Sequence, residues 1–340
     1  EYGAPALHFF YIPDSASIHW EVLPEYAAKA FKYMSEHYGK YPHEKYSVIQ
    51  GGDGGMEYPM ATLITGERSL RSLVGVTVHE LVHSWYQGAL ANNESLYSWM
   101  DEGFTEFVSE EIMEYLFHEN IQPHPQISHF KSYFNLANSG KQEPLTTHAD
   151  HFNLNAVYSI SSYIKGSIFL RQLNYIIGED NFRKGMLRYF NEWKFKHPEP
   201  NDFIRVMEKQ SGMELSWYLE YWINSIKTID YGVQSATQQG DSSRIILERT
   251  GDMIMPVDVK LRLSDGTDHT YSIPLRIMRG HKPLLDGISI AEPWPWTNPE
   301  YSLVIPVATQ HIVSVEIYPD QQTADVNRKN KVLEPGDGRP

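Results

Sequence analysis

The stretch VTVHELVHSWYQGAL occupies residues 76–90, and its reading decides the fold. Leu73, Val74, Val78, Leu81, Val82, Trp85 and Tyr86 recur at intervals of three and four, so residues 70–90 read as one long, well-buried helix. Histidines four apart share a helix face. The imidazoles of His79 and His83 therefore reach a single zinc ion, while Glu80 between them faces the water to be activated.

A buried helix whose His and Glu are satisfied core groups has the same local pattern, so a third ligand must decide. Catalytic zinc takes three protein ligands and keeps a fourth position open. No His follows in SWYQGALANNE (84–94). After His83, eighteen residues intervene before Glu102, which stands in SWMDEGFTEF at the start of a second helix expected over 101–117. Its carboxylate supplies the third ligand.

HELVHSW, that spacing and WMDEGFTEF together resemble the zinc region of the aminopeptidase N and leukotriene hydrolase family of gluzincins, whose members read HExxHxW and WLNEG. The resemblance covers the chain from the first helix to about residue 226, and more loosely the β-rich part beyond. It implies an α+β multidomain chain: a thermolysin-like, mainly helical zinc-peptidase domain (1–228), then a small antiparallel β-sandwich domain (229–326), then a polar tail (327–340). It also implies one Zn2+ per chain and peptide substrates with a free N-terminus. Family members normally begin with a large β-rich domain packed over the catalytic cleft, and many end with a helical domain. Both are missing here, so a fragment or processed form is expected, one that packs against the missing N-terminal β-domain.

The same family carries G-x-M-E-N shortly before the zinc helix, and GGMEY at 54–58 matches it with Tyr58 in place of the Asn. The resemblance makes Glu57 the carboxylate that holds the substrate's α-ammonium and sets the cutting register, as a fixed anion beside the metal would. Gly54, Gly55 and Met56 would line an edge that an extended peptide joins by strand addition. VYSISSYIKGSIFL (157–170) resembles the family's segment of a Tyr, four residues, a second Tyr and x-K-G. By that match Tyr163 donates to the oxyanion of the transition state, and Tyr158 has a supporting role.

The rest of the chain fits around this centre. In residues 24–38, Ala27, Ala30, Phe31 and Met34 lie at helical spacing, with Gly39 as the stop. YSVIQ (46–50) and MEYPMATLIT (56–65) read as a strand pair around GGDGG. Further helices are expected over 161–177, 181–193, 200–211 and 215–223. Beyond residue 227 the texture changes to strands: VDVKLRL (257–263) alternates, Asp265-Gly266 marks a hairpin, and HTYSIPLRI, SLVIPV and IVSVEIYP follow. This part reads as an antiparallel sandwich or barrel, and the tail from residue 327 as unstructured. His118, His124, His129, His148 and His151 read as a solvated linker, and Glu106, Glu110 and Glu111 as an exposed helix face.

A net charge of -14 argues against nucleic acid and anionic membranes as partners. No apolar run reaches the roughly 18 to 20 residues of a membrane span. Without cysteine, disulfides and thiolate metal sites are excluded, and the compartment stays open. The expected function is zinc-dependent aminopeptidase: Glu80 as general base, Tyr163 on the oxyanion, Glu57 on the N-terminus. An endopeptidase with the same zinc set, an epoxide hydrolase of the leukotriene type, and a catalytically incompetent peptide-binding module are the alternatives.

Overall fold

Tyr46 and Val48 point inward from Lys45–Gln50 (β2), which lies between Ala6–Phe10 (β1) and Ala61–Ile64 (β4), paired in parallel with both. Met56–Tyr58 (β3) turns back antiparallel to β4, so the order is β1-β2-β4-β3 and β3 forms one edge. The expected strand pair around the glycines is thus corrected: β2 pairs with β4, and β3 lies outside. The computed structural model describes residues 5–118 and 127–335.

Leu23–His37 forms α1, and Leu70–Tyr86 forms α2. The Ser69 hydroxyl caps α2 by accepting the Ser72 N–H. All seven apolar residues that predicted this helix are buried, each contributing about 1.5–3 kcal/mol relative to exposure. Trp85 packs on Phe31 of α1 and Tyr41, and its Nε1 donates to the Gly39 carbonyl at 2.7 Å. That bond ties α2 to the turn that follows α1.

Two short π-helical segments do the positioning. Trp99–Gly103 leads into Phe104–Phe117 (α3), and Ile160–Lys165 joins Asn155–Ser159 (α5) to Gly166–Ile177 (α6). The π segments meet where Gly103 and Gly166 touch backbone to backbone; a Cβ on either would collide with the other. Ser98 and Ser162, both buried, hydrogen-bond at 2.7 Å across the same junction. Ile127–Asn138 (α4), where a linker was expected, is helical, as are Glu179–Trp193 (α7), Pro200–Ser211 (α8) and Ser216–Ile223 (α9).

The chain divides into two units. One comprises Glu1–Tyr133, Leu145–Leu170 and Arg183–Val206; the other comprises Phe134–Pro144, Arg171–Phe182 and Met207–Pro340. The second holds a three-stranded sheet of Tyr231–Gln239 (β5), Ser242–Arg249 (β6) and Glu300–Ile305 (β10), all antiparallel. Its other sheet orders Val332–Leu333 (β12), Ile312–Ile317 (β11), Val257–Leu263 (β7), Asp268–Ile273 (β8) and Ile288–Ile290 (β9). Here β9 joins β8 in parallel, a departure from a purely antiparallel arrangement.

The tail expected to be loose is anchored as far as Leu333. β12 pairs with β11, the Lys331 ammonium meets the buried Asp325 carboxylate and the Tyr231 carbonyl, and Asn330 donates to Asp230 at 2.8 Å. Residues 336–340 lie outside the described residues.

Candidate metal centre

One turn of α2 separates His79 from His83, and both imidazoles leave the helix on the face that meets the Glu102 π segment. Glu102 Oε2 is 3.3 Å from His79 Nε2 and 3.3 Å from His83 Nε2, and the two nitrogens are 3.2 Å apart. Ligands at zinc–nitrogen and zinc–oxygen distances of about 2.05 Å, set at the tetrahedral angle, stand roughly 3.3 Å from one another. The donor triangle therefore matches three corners of a zinc tetrahedron.

Outer carboxylates fix the ring orientations. His83 Nδ1 donates to Asp101 Oδ1 at 2.6 Å, and His79 Nδ1 lies 3.4 Å from Glu106 Oε2. A ring that donates through Nδ1 presents the Nε2 lone pair to a metal, the arrangement typical of carboxylate–histidine–metal triads. Burial works to lower the His79 pKa, but its bonds to Glu102 and Glu106 win and raise it to about 9. Burial would raise Glu102 and Glu106; contacts with His79, joined by His83 at Glu102 and His129 at Glu106, bring both down to about 2. Burial pushes the Asp101 carboxyl up to about 6 against the pull of His83.

Glu80 is buried at 6 % exposure, and burial raises its carboxyl to about 7, opposed by the neighbouring His79 and His83. One oxygen of Glu57, one of Glu80 and a ring nitrogen of His83 lie within 4.8 Å of one another. Gly55 passes so close that a Cβ there would strike the Glu80 carboxylate and Val76. Gly54 lies further back, and its carbonyl accepts from Arg68. Met56 and Tyr58 are exposed along edge strand β3.

Tyr163 donates to Glu102 Oε1 at 2.6 Å, and its ring stacks on His79 at 5.8 Å. Burial and the Glu102 charge drive its pKa far up, so the hydroxyl keeps its proton. Tyr158 is half-buried one turn earlier, its pKa pushed up to about 12 by burial and then Glu102.

Two sequence expectations need correction. Glu106, Glu110 and Glu111 are not a solvated face: Glu106 and Glu110 lie 3.3 and 3.2 Å from His129 Nε2, and Glu111 receives a forked bond from Arg183 at 2.6 and 2.8 Å. Because α3 is enclosed on several sides, few of its positions face water. His129 accordingly sits on α4 rather than in a linker; His124 lies outside the described residues. The orienting roles of Asp101 and Glu106 were missed, although Glu106 stands one helical turn after Glu102 and adjacency to a ligand was visible in WMDEG.

Comparison with known proteins follows the same residues. Residues 24–222 match the model described as Peptidase family M1 domain. The chain belongs to peptidase family M1. Among curated family relatives, Probable aminopeptidase 1 of Sulfurisphaera tokodaii is 23% identical over 270 residues, which cover 78% of this chain and 31% of that protein. Aminopeptidase B of Mus musculus is 28% identical over 182 residues, covering 50% and 26%. The chain thus spans about a third or less of the length of these relatives. The crystal structure of Legionella pneumophila aminopeptidase A in complex with aspartic acid shares the fold, with a TM-score of 0.67 at 16% identity over 93% of this chain and 36% of that one. An M1 zinc metallopeptidase from Deinococcus radiodurans gives a TM-score of 0.51 at 18% identity, over 66% of this chain and 50% of that one. Membership of family M1 implies zinc as the metal.

Proposed function

We propose that this chain carries the catalytic unit of a zinc-dependent aminopeptidase, with one ion per chain, in which a thermolysin-like helical part precedes a β-sandwich part. The observation that carries the reading is the convergence of His79, His83 and Glu102 at zinc-ligand spacing beside the buried Glu80. Bound zinc supplies Lewis acidity, polarising the scissile carbonyl and acidifying water.

Glu80 takes a proton from the attacking water and returns it to the leaving amine. A carboxyl raised to about 7 by burial suits a group that must accept and release a proton near neutrality. Tyr163, protonated and aimed at the centre by its bond to Glu102, donates to the carbonyl oxygen as charge develops there. Glu57 binds the α-ammonium of peptides with a free N-terminus, so one residue leaves per cleavage. The open edge of β3, with Gly55 and Met56, takes the extended peptide as an added strand, while Gly54 shapes the loop and Tyr158 supports Tyr163.

The test is release of the first residue from short peptides with free or N-acetylated termini, on zinc-loaded protein with and without chelator. Chelator-sensitive release from free termini alone is the expected result. Cleavage of acetylated peptides would make the chain an endopeptidase and remove the role of Glu57; no cleavage of either would sink the reading.

A further inference from the structure

The carboxylates that orient His83 and His79 are held to different degrees. Asp101 is a short side chain only 4 % exposed where it meets His83. Glu106 is a longer side chain, 26 % exposed, and it borders a cavity of about 240 Å3 beside His79. A side chain with that freedom keeps its place 3.4 Å from His79 Nδ1 at an entropic cost, unless a second contact holds it.

His129, from the His-rich part of the chain, makes that contact. Its Nε2 lies 3.3 Å from Glu106 Oε1 and 3.2 Å from Glu110 Oε1, between two carboxylates one helical turn apart on α3. Burial works to raise the Glu106 carboxyl, but its bonds to His129 and His79 hold it at about 2, so it is ionised and only accepts. Nε2 therefore donates. On the other side of the ring, the Ser167 Oγ lies 3.3 Å from Nδ1 and gives its single proton to the Ile164 carbonyl at 3.1 Å. That oxygen is left to accept, so Nδ1 donates as well and the ring is an imidazolium. Ser167 is fully buried, four residues after Tyr163, which fixes the far side of the ring.

We propose that His129 is a positioning residue for the metal centre: it clamps Glu106 so that this carboxylate accepts from His79 Nδ1 and leaves His79 Nε2 facing the metal. This rests on the zinc reading of His79, His83 and Glu102. The clamp joins three helices, with His129 on α4, Glu106 on α3 and Ser167 on α6. Its charge also offsets the repulsion between Glu106 and Glu110, which works to drive Glu106 away from its place beside His79. A ring that donates through both nitrogens keeps no lone pair for a second metal ion.

The test is zinc affinity by competition with a chromophoric chelator in wild type, His129→Ala, Glu106→Ala and the double variant. Thermal unfolding checks that each is folded, and His129→Leu repeats the comparison should the alanine variant fail to fold. His129→Ala is expected to weaken zinc binding about 3- to 10-fold, less than removal of a group that touches a ligand directly. In the Glu106→Ala background the same substitution should change affinity by less than about twofold, because its route to His79 is gone. An equal loss in both backgrounds would reveal a general effect of α4 and overturn the positioning role. No loss in either would overturn it and leave the zinc and aminopeptidase readings intact. A second equivalent of zinc in wild type that disappears in His129→Ala would make the cluster a metal site and overturn the clamp. If wild type binds no zinc, the metal centre and the aminopeptidase reading fall together with the role of His129.

Discussion

Helix α3 and the π segment before it serve two charged clusters in the same unit, and the two are balanced differently. Around Glu111 the protein provides its own cation: the Arg183 guanidinium forks onto the carboxylate, and the buried Tyr38 hydroxyl donates as well. Around Glu102, two turns away, Glu80, Asp101 and Glu106 crowd two histidines whose Nε2 atoms face each other at 3.2 Å. No Lys or Arg is paired with Glu80, Asp101 or Glu102 among the described residues. A cluster that closes its own charge needs nothing further and acts as scaffold. One whose two imidazoles and carboxylate meet at zinc-ligand spacing, with no Lys or Arg beside them among the described residues, suits a cation from outside.

That contrast can be broken by substitution. Glu80→Gln should lower kcat by about 10²–10⁴-fold while zinc content by elemental analysis stays at the wild-type level. Zinc loss together with activity would make Glu80 a structural member of the centre instead. Arg183→Met should leave Glu111 without its cation and destabilise the fold by roughly 1–3 kcal/mol in denaturant titration. Turnover per folded molecule should hold, and a selective loss of turnover would erase the distinction between the clusters.

Smaller effects sharpen the picture. Asp101→Asn keeps the shape but weakens the acceptor on His83 Nδ1, so zinc affinity measured by competition with a chelator should fall about 10- to 100-fold. An unchanged affinity would show that the ring is oriented by packing alone. Bonds to Glu102 and Glu106 raise His79 to about 9, and Asp101 and Glu102 raise His83 as well, so zinc taken up at pH 7 should displace protons from these rings. Affinity should therefore weaken as pH falls below about 9. Calorimetry at pH 7 in buffers of different ionisation enthalpy should detect the released proton, and buffer-independent heats would contradict it.

Much of this was legible in the residues because the signals were local. The apolar period of α2, the four-residue step from His79 to His83 and the count to Glu102 each follow from helix geometry within one or two elements. The ends of α7, α8 and α9 fell within two residues of expectation for the same reason. The sheet order was not legible: β2 pairing with β4 in parallel, and β3 left on the edge, depend on partners far apart in the chain. Helix α4 was hidden by a polar, His-rich composition that resembles a linker.

Sequence by itself therefore determined the family, the candidate metal donors and a candidate general base, since an H-E-x-x-H helix writes its geometry into a fixed spacing. Tertiary structure decided which carboxylates orient the histidines, that Tyr163 rests on Glu102, and that Glu106 lies between His79 and His129. Those relations arise where π segments and loops from separate parts of the chain pack together, and no periodicity along one segment records which side chains will face each other across such a junction.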